Sequence, residues 1–87
     1  MLINPDVYND TEIITINNIG IFPNPVTDKL FLTGNTNRVH EIEVYNLSGM
    51  KVKTEIFNGE SIDVENLEPG YYFLKTNEGL IFKFVKQ

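Results

Sequence analysis

Apolar and polar residues alternate along most of the chain in short runs that turn-forming residues separate. Alternation with a period of two is typical of half-buried β-strands, because successive side chains point to opposite faces of a sheet. In residues 40–45, Ile42 and Val44 share the face that we expect to be buried. Residues 50–56 alternate as well, and a short turn containing Gly49 joins the two runs, which predicts a β-hairpin.

The same alternation assigns side chains to the core along the whole domain. The expected core residues are Leu30, Leu32, Ile42, Val44, Val52, Tyr72, Leu74, Phe82 and Phe84. In the second hairpin strand, Met50, Val52 and Ile56 are expected to face inward. The charged residues of that strand are expected to face outward; they are Lys51, Lys53 and Glu55.

Proline and glycine mark the turns between the predicted strands. Pro23 and Pro25 exclude a helix and define a rigid extended turn, because each proline fixes φ and lacks an N–H donor. Gly49, Gly70 and Gly79 define later turns, since glycine adopts positive φ without steric penalty. For Gly70, which follows a proline, we expect the left-handed position of a type II turn.

About seven short strands with turns between them, and no window that supports a helix, predict an all-β antiparallel domain. A two-sheet sandwich is favoured over a barrel, because each strand offers one clean apolar face. The chain has 87 residues and no alanine, which suits a single domain poor in helix. We expect residues 19–87 to form the domain and residues 1–18 to form a linker or loosely ordered arm. Within that arm, Ile13-Ile14-Thr15-Ile16 is either an edge strand or a continuation of the arm.

The charge and the missing residue types exclude several classes of function. The net charge is −5 and Arg38 is the single arginine, which argues against binding nucleic acid or an anionic membrane. The chain has no cysteine, so it has no disulfide and no thiolate metal site. No run approaches the ~18 apolar residues of a membrane span. The first residues also lack the features of a signal peptide, so export would require one elsewhere on a longer precursor.

The residues that catalysis requires are almost absent. His40 is the single histidine, and the two serines, Ser48 and Ser61, lie in or beside turns, where a hydroxyl group caps the backbone. The acidic residues are scattered, which favours a solvated surface over a cation site. We therefore expect a protein that is not an enzyme and that needs no metal or cofactor.

Aromatic residues also occur at outward positions. Tyr45, Tyr71 and Phe73 fall on outward faces by alternation. Such a strip suits the binding of a sugar or peptide, and it equally suits packing beneath a neighbouring loop or partner.

The last predicted strand is apolar on both faces. Leu80, Phe82 and Phe84 share one face, and a second set shares the other with one lysine. Such a strand is either covered on both sides or presents an adhesive outer surface. We hypothesise a partner-recognition surface, used by strand addition or by face packing, and coverage by residues 1–18 is the alternative. The residues of this surface are Gly70, Tyr71, Ile81, Lys83, Val85, Lys86 and Gln87.

Four segments, in order, carry a resemblance to a known family. They are Phe22-Pro23-Asn24-Pro25-Val26, Val44-Tyr45-Asn46-Leu47-Ser48-Gly49, Leu67-Glu68-Pro69-Gly70-Tyr71-Tyr72-Phe73-Leu74 and Lys83-Phe84-Val85-Lys86-Gln87. From Ile19 to Gln87 the chain resembles the type A C-terminal sorting domain of the type IX (Por) secretion system. It departs from the family pattern in two places. The turn reads Leu67-Glu68-Pro69-Gly70 where the family has Leu-Pro-x-Gly, and Met50 stands where the family usually has lysine.

The resemblance implies an immunoglobulin-like β-sandwich that acts as a secretion signal for a cargo domain on the same precursor. It implies that the precursor crosses the inner membrane and that the domain folds in the periplasm. The translocon and its shuttle proteins then recognise the domain, and a sortase-like surface peptidase often removes it. The cargo reaches the cell surface or the medium. The alternative is a surface adhesion or carbohydrate-binding module that uses Tyr45, Tyr71 and Phe73.

Overall fold

The computed structural model describes residues 19–87, which form seven β-strands and, within that range, no helix. The strands are β1 (Ile19–Phe22), β2 (Lys29–Gly34), β3 (Glu41–Asn46), β4 (Lys51–Ile56), β5 (Ser61–Asp63), β6 (Gly70–Thr76) and β7 (Ile81–Lys86). The predicted all-β class is confirmed. The expectations for residues 1–18, including the run from 13 to 16, lie outside the described residues.

The seven strands form two sheets that pack face to face. One sheet has the order β1-β2-β5 and the other has the order β4-β3-β6-β7, and all of these pairs are antiparallel. The constant-type immunoglobulin sandwich has four strands in the first sheet and three in the second. Here β4 pairs with β3 and not with β5, so β4 belongs to the second sheet, which therefore has four strands. The predicted immunoglobulin-like sandwich is confirmed with this variation.

The buried residues between the sheets come from strands and loops alike. They are Val26, Leu30, Val39, Ile42, Val44, Phe57, Ile62, Val64, Tyr72, Leu74 and Phe84. Of the predicted core, Leu32 and Phe82 are partly buried against this cluster, and the other members except Val52 are buried. Alternation misses Val26, Val39, Phe57 and Val64, because each lies outside a strand. It also misses Ile62, because the strand β5 has only three residues and shows too short a pattern.

The predicted orientation of β4 is wrong from Val52 onward, whereas Lys51 faces outward as predicted. Met50, Val52 and Ile56 were expected to face inward, but they are 63, 40 and 72% exposed. Val52 therefore does not belong to the core. Lys53 and Glu55, which were expected to face outward, are half-buried instead.

A β-bulge explains this reversal. Val44 pairs with Lys53, but the next residue, Tyr45, pairs with Lys51, so Val52 has no partner of its own. One unpaired residue in a strand exchanges the two faces beyond it, since side chains alternate with a period of two. Sequence periodicity does not reveal where such a residue falls.

The reversal turns two charges toward the core side of an edge strand. Lys53 and Glu55 form an ion pair there, with 3.2 Å between the ammonium nitrogen and the carboxylate oxygen. Charges that point inward on an edge strand oppose pairing with a strand of another chain, because that pairing would bury them. The edge at β4 is thus protected against strand addition.

The crossing from β5 to β6 is fixed by a tyrosine corner. The Tyr72 hydroxyl donates a hydrogen bond of 2.6 Å to the carbonyl of Glu68, four residues upstream. The ring of Tyr72 stacks on Phe84, with 5.6 Å between ring centroids. Immunoglobulin-type sandwiches have the same bond at the start of the corresponding strand.

Gly70 begins β6 with φ at 152°, which is positive but far from the roughly +80° of a type II turn.

We predict that Tyr72→Phe lowers the free energy of unfolding by about 1–2 kcal/mol, because the partly buried hydrogen bond to the Glu68 carbonyl is lost. Chemical denaturation measures this change. Tyr71→Phe is the matched control, since Tyr71 is 52% exposed and should change stability by less than about 0.5 kcal/mol. Equal stability of the wild type and Tyr72→Phe would show that the corner bond does not stabilise the fold.

We also predict that Val44→Ala and Val52→Ala differ in their effect on stability. Val44 is fully buried, so its truncation should lower the free energy of unfolding by about 2–3 kcal/mol. Val52 is 40% exposed, and its truncation should lower it by less than about 1 kcal/mol. Denaturant midpoints measured on both variants test the reversed orientation of β4, and equal losses would contradict it.

Candidate recognition surface

The outer side of the four-stranded sheet carries the side chains of the candidate site. In β3, β6 and β7 the pairing is regular, so that Val44, Leu74 and Phe82 form one row facing the core. The neighbouring row, Tyr45, Phe73 and Lys83, therefore faces outward. We call the outer side of this sheet the open face. Its side chains are Glu41, Glu43, Tyr45, Lys51, Thr54, Ile56, Tyr71, Phe73, Lys75, Ile81, Lys83 and Val85.

Apolar side chains occupy the centre of the open face. Phe73 lies between Tyr45 and Lys83 across the sheet, and Tyr71 lies opposite Val85 in the next row. Tyr71 is 52% exposed and Ile81 is 62% exposed. The outward positions predicted for the three aromatic residues agree with this arrangement. Their neighbours on β7 extend the aromatic strip into a larger apolar patch.

Two lysines on the open face have different surroundings. Lys51 forms an ion pair with Glu43, with 3.1 Å between nitrogen and oxygen. The Tyr45 hydroxyl donates a hydrogen bond of 2.9 Å to the same carboxylate. On the other side of the face, the Lys83 ammonium lies 5.2 Å from the ring centroid of Tyr71, which is a cation–π geometry.

Glu43 is the centre of the only three-residue charge network on this face among residues 19–87. The hydrogen bond from Lys51, and then the one from Tyr45, lower the pKa of the Glu43 carboxyl, since both stabilise its charged form. The same contacts raise the pKa of Tyr45 and of Lys51. The network thus remains charged at neutral pH and cancels its own net charge.

The free edge of β7 is covered along its second half. The Val85 amide donates to the Asn24 side-chain oxygen at 2.8 Å, and the Asn24 side-chain amide donates to the Lys83 carbonyl at 3.4 Å. Beyond Asn24, the Val26 amide donates to the Val85 carbonyl, and the Gln87 amide donates to the Val26 carbonyl, each at 2.8 Å. An incoming strand would have to displace this segment before it could pair with β7 there.

Pro23 and Pro25 flank Asn24 in the connection between β1 and β2, and both prolyl peptide bonds are cis. In this connection the chain leaves β1 in one sheet, and Val26 then forms a parallel bridge with Lys86 of the other sheet. The prolines predict the turn but not the contact with β7, because the two segments are about sixty residues apart in the chain.

The structure brings four of the predicted recognition residues together on the open face and separates the others. Tyr71, Ile81, Lys83 and Val85 share this face. The assignment of Lys86 is corrected: its side chain is on the core side with Phe84, and it is 7% exposed. Its ammonium donates a hydrogen bond of 3.0 Å to the Gln87 carbonyl.

The remaining predicted residues lie away from the face or in turns. Gly70 pairs with Lys86 at a core-side position, and Gln87 is exposed beyond the end of β7. Gly49 and Gly79 lie in the two hairpin turns, with φ values of 86° and 89°.

No cluster of metal-binding side chains occurs in the described range 19–87. His40 is exposed, and no group of three or more histidine or acidic side chains is placed to hold a metal ion there. A depression of about 260 Å³ at one end of the sandwich lacks serine and histidine; its lining residues are Ile19, Asn35, Asn37, Arg38, Val39, Glu78 and Leu80. Among the same residues, no helix has the length and apolar character that crossing a membrane requires.

The comparisons with known proteins give one match. The family model described as a secretion system C-terminal sorting domain matches residues 20–87. No curated protein and no solved structure matches the chain significantly. The match covers the whole sandwich except the first residue of β1.

We predict a pH-dependent effect of Glu43→Gln on stability. A carboxyl group with a lowered pKa stabilises the fold above its ordinary pKa of 4.5, and it loses that effect as the pH falls through the lower folded value. The stability difference between wild type and variant should therefore be largest at neutral pH and should shrink below pH 4.5. Denaturant midpoints measured across this range give the difference.

The matched control makes the same change in a Lys51→Gln background. The largest cause of the lowered pKa is then absent, so Glu43→Gln should change stability with a weaker dependence on pH. A difference that grows as the pH falls, or one that is identical in both backgrounds, would contradict the prediction.

Proposed function

The chain belongs to the family of secretion system C-terminal sorting domains, and we propose that the type IX secretion system recognises it through the open face. As a member of that family it is a C-terminal secretion signal for type IX secretion, destined for export to the outer membrane or the cell surface. A signal of this kind is not a catalyst, so its activity depends on the surface that it presents.

The observation that carries the proposal is the apolar character of the open face. A sandwich needs one apolar face on each strand, and in β6 and β7 the core side already provides it. Tyr71 and Ile81 add apolar side chains on the outer side, where they remain more than half exposed. An apolar patch that the fold does not need for its own core is typical of an interaction site.

The two edges of the four-stranded sheet support one mode of binding over another. At β4 the bulge and the inward ion pair of Lys53 and Glu55 oppose strand addition. At β7, Asn24 and Val26 already bond to the second half of the strand. These two features support recognition by packing against the open face, and they argue against strand addition at the edges of the four-stranded sheet.

The wider pathway forms part of the same proposal. Residues 1–18 connect the domain to a cargo domain on the same precursor, and a signal peptide elsewhere on that precursor directs it to the periplasm. There the folded domain binds the translocon and its shuttle proteins, and a sortase-like surface peptidase then removes it. The family membership supports this order of events, and it favours a secretion signal over an adhesion module.

The proposal predicts that substitutions on the open face block secretion of an otherwise intact protein. A fluorescent reporter with an export signal is fused to residues 1–87 and expressed in a bacterium that has a type IX system. Tyr71→Ser combined with Ile81→Ser should reduce secreted reporter at least about tenfold and leave it in the periplasm. Reporter fluorescence in the medium and in periplasmic extracts measures both pools.

The matched control replaces apolar residues of similar exposure outside the open face. Phe22, at 48% exposure, lies on the outer side of the three-stranded sheet, and Met50, at 63%, lies in the turn between β3 and β4. Phe22→Ser combined with Met50→Ser should be secreted like the wild type. Thermal unfolding of both purified double variants excludes loss of folding. Equal secretion of the two double variants would reject the open face as the recognition surface.

A further inference from the structure

We propose that Lys83 binds a carboxylate of the partner protein, and that this carboxylate lies within an otherwise apolar partner surface. The inference rests on the proposed recognition through the open face. It adds the chemistry of the partner, which membership in the family does not specify.

Lys83 is a cation set among apolar side chains. It lies opposite Phe73 across the sheet, and its ammonium lies 5.2 Å from the centre of the Tyr71 ring. Ile81 and Val85 precede and follow it at outward positions of the same strand. The cation is thus part of the apolar patch and not of a separate charged rim.

The other two lysines of the open face, Lys51 and Lys75, both act on the Glu43 carboxylate, whereas Lys83 does not. The ion pairs found in residues 19–87 are Lys51 with Glu43 and Lys53 with Glu55. Lys75 lies opposite Glu43 in the register and contributes to the lowered pKa of that carboxyl. Within the same range, no carboxylate forms an ion pair with Lys83, although the whole chain carries a net charge of −5.

A partner that packs on the apolar patch would remove water from the Lys83 ammonium. Burying an ammonium group without an acceptor is strongly unfavourable, and the face of one aromatic ring replaces only part of its hydration. A carboxylate in the partner surface restores the lost interactions with a charge-assisted hydrogen bond. The surrounding partner atoms are apolar, because they meet the side chains of Tyr71, Ile81 and Val85.

A protein carboxylate fits this surface better than an anionic sugar does. Sugars bind by stacking on aromatic rings and by hydrogen bonds to several polar groups, whereas Ile81 and Val85 on either side of Lys83 are aliphatic. The two occupants differ in what they require of Tyr71. A protein surface tolerates leucine at that position, since leucine keeps apolar area, and a sugar requires the ring.

The secretion assay with the fusion to residues 1–87 tests the inference through three substitutions of Lys83. Lys83→Arg keeps a cation that binds carboxylates, so secretion should stay within about twofold of the wild type. Lys83→Met keeps the apolar stem and should lower secretion about fivefold. Lys83→Glu places a second negative charge beside the partner carboxylate and should lower secretion at least about thirtyfold.

Lys29 provides the matched control, because it is an exposed lysine on β2 of the opposite sheet. Lys29→Met and Lys29→Glu should be secreted like the wild type, and thermal unfolding should show that all variants are folded. Tyr71→Leu should stay within about threefold of the wild type, since leucine keeps apolar contact.

The outcomes separate this inference from the proposed function. If Tyr71→Ser with Ile81→Ser blocks secretion while Lys83→Met and Lys83→Glu are secreted normally, the partner carboxylate is rejected and the recognition surface stands. If Lys83→Arg fails as badly as Lys83→Glu, a carboxylate ligand is also rejected. Loss with Tyr71→Leu and tolerance of Lys83→Met would identify a sugar instead. Normal secretion of every variant would reject both proposals.

Discussion

The pairing of β6 with β3 on one side and β7 on the other is the constraint on which the rest of the structure depends. It aligns Val44, Leu74 and Phe82 in one row on the core side. Because side chains alternate, the same pairing aligns Tyr45 and Phe73 with Lys83 in the next row on the outer side. The core and the open face are therefore two consequences of a single register.

Local alternation was sufficient to predict the strands that keep this register. In β3, β6 and β7 the alternation runs without interruption, and Ile42, Tyr72 and Phe84 were assigned to the core correctly. In β4 the bulge inserts one unpaired residue, Val52, and reverses every orientation beyond it. The sequence of β4 is compatible with both orientations, and only the pairing with β3 decides between them.

Contacts between distant segments account for what the sequence did not predict about the candidate site. The prolines predicted a turn, but the bonds from Asn24 to β7 depend on where the other end of the chain lies. The place of Lys86 beside Gln87 suggests that it belongs to the recognition surface, but the structure shows that it does not. Its position two residues after Phe84 places it on the core side by the same alternation that placed its neighbours correctly.

A single register fixes both faces of the sheet, so a change in the core side also changes the open face. A slip of one residue in the pairing of β6 and β7 would place Lys83 on the core side and Phe84 on the outer side. A partner that requires Lys83 beside Tyr71 therefore binds only when Phe84 and Leu74 are also buried correctly. In the proposed mode of recognition, binding to the open face therefore also reports on the folding of the core behind it.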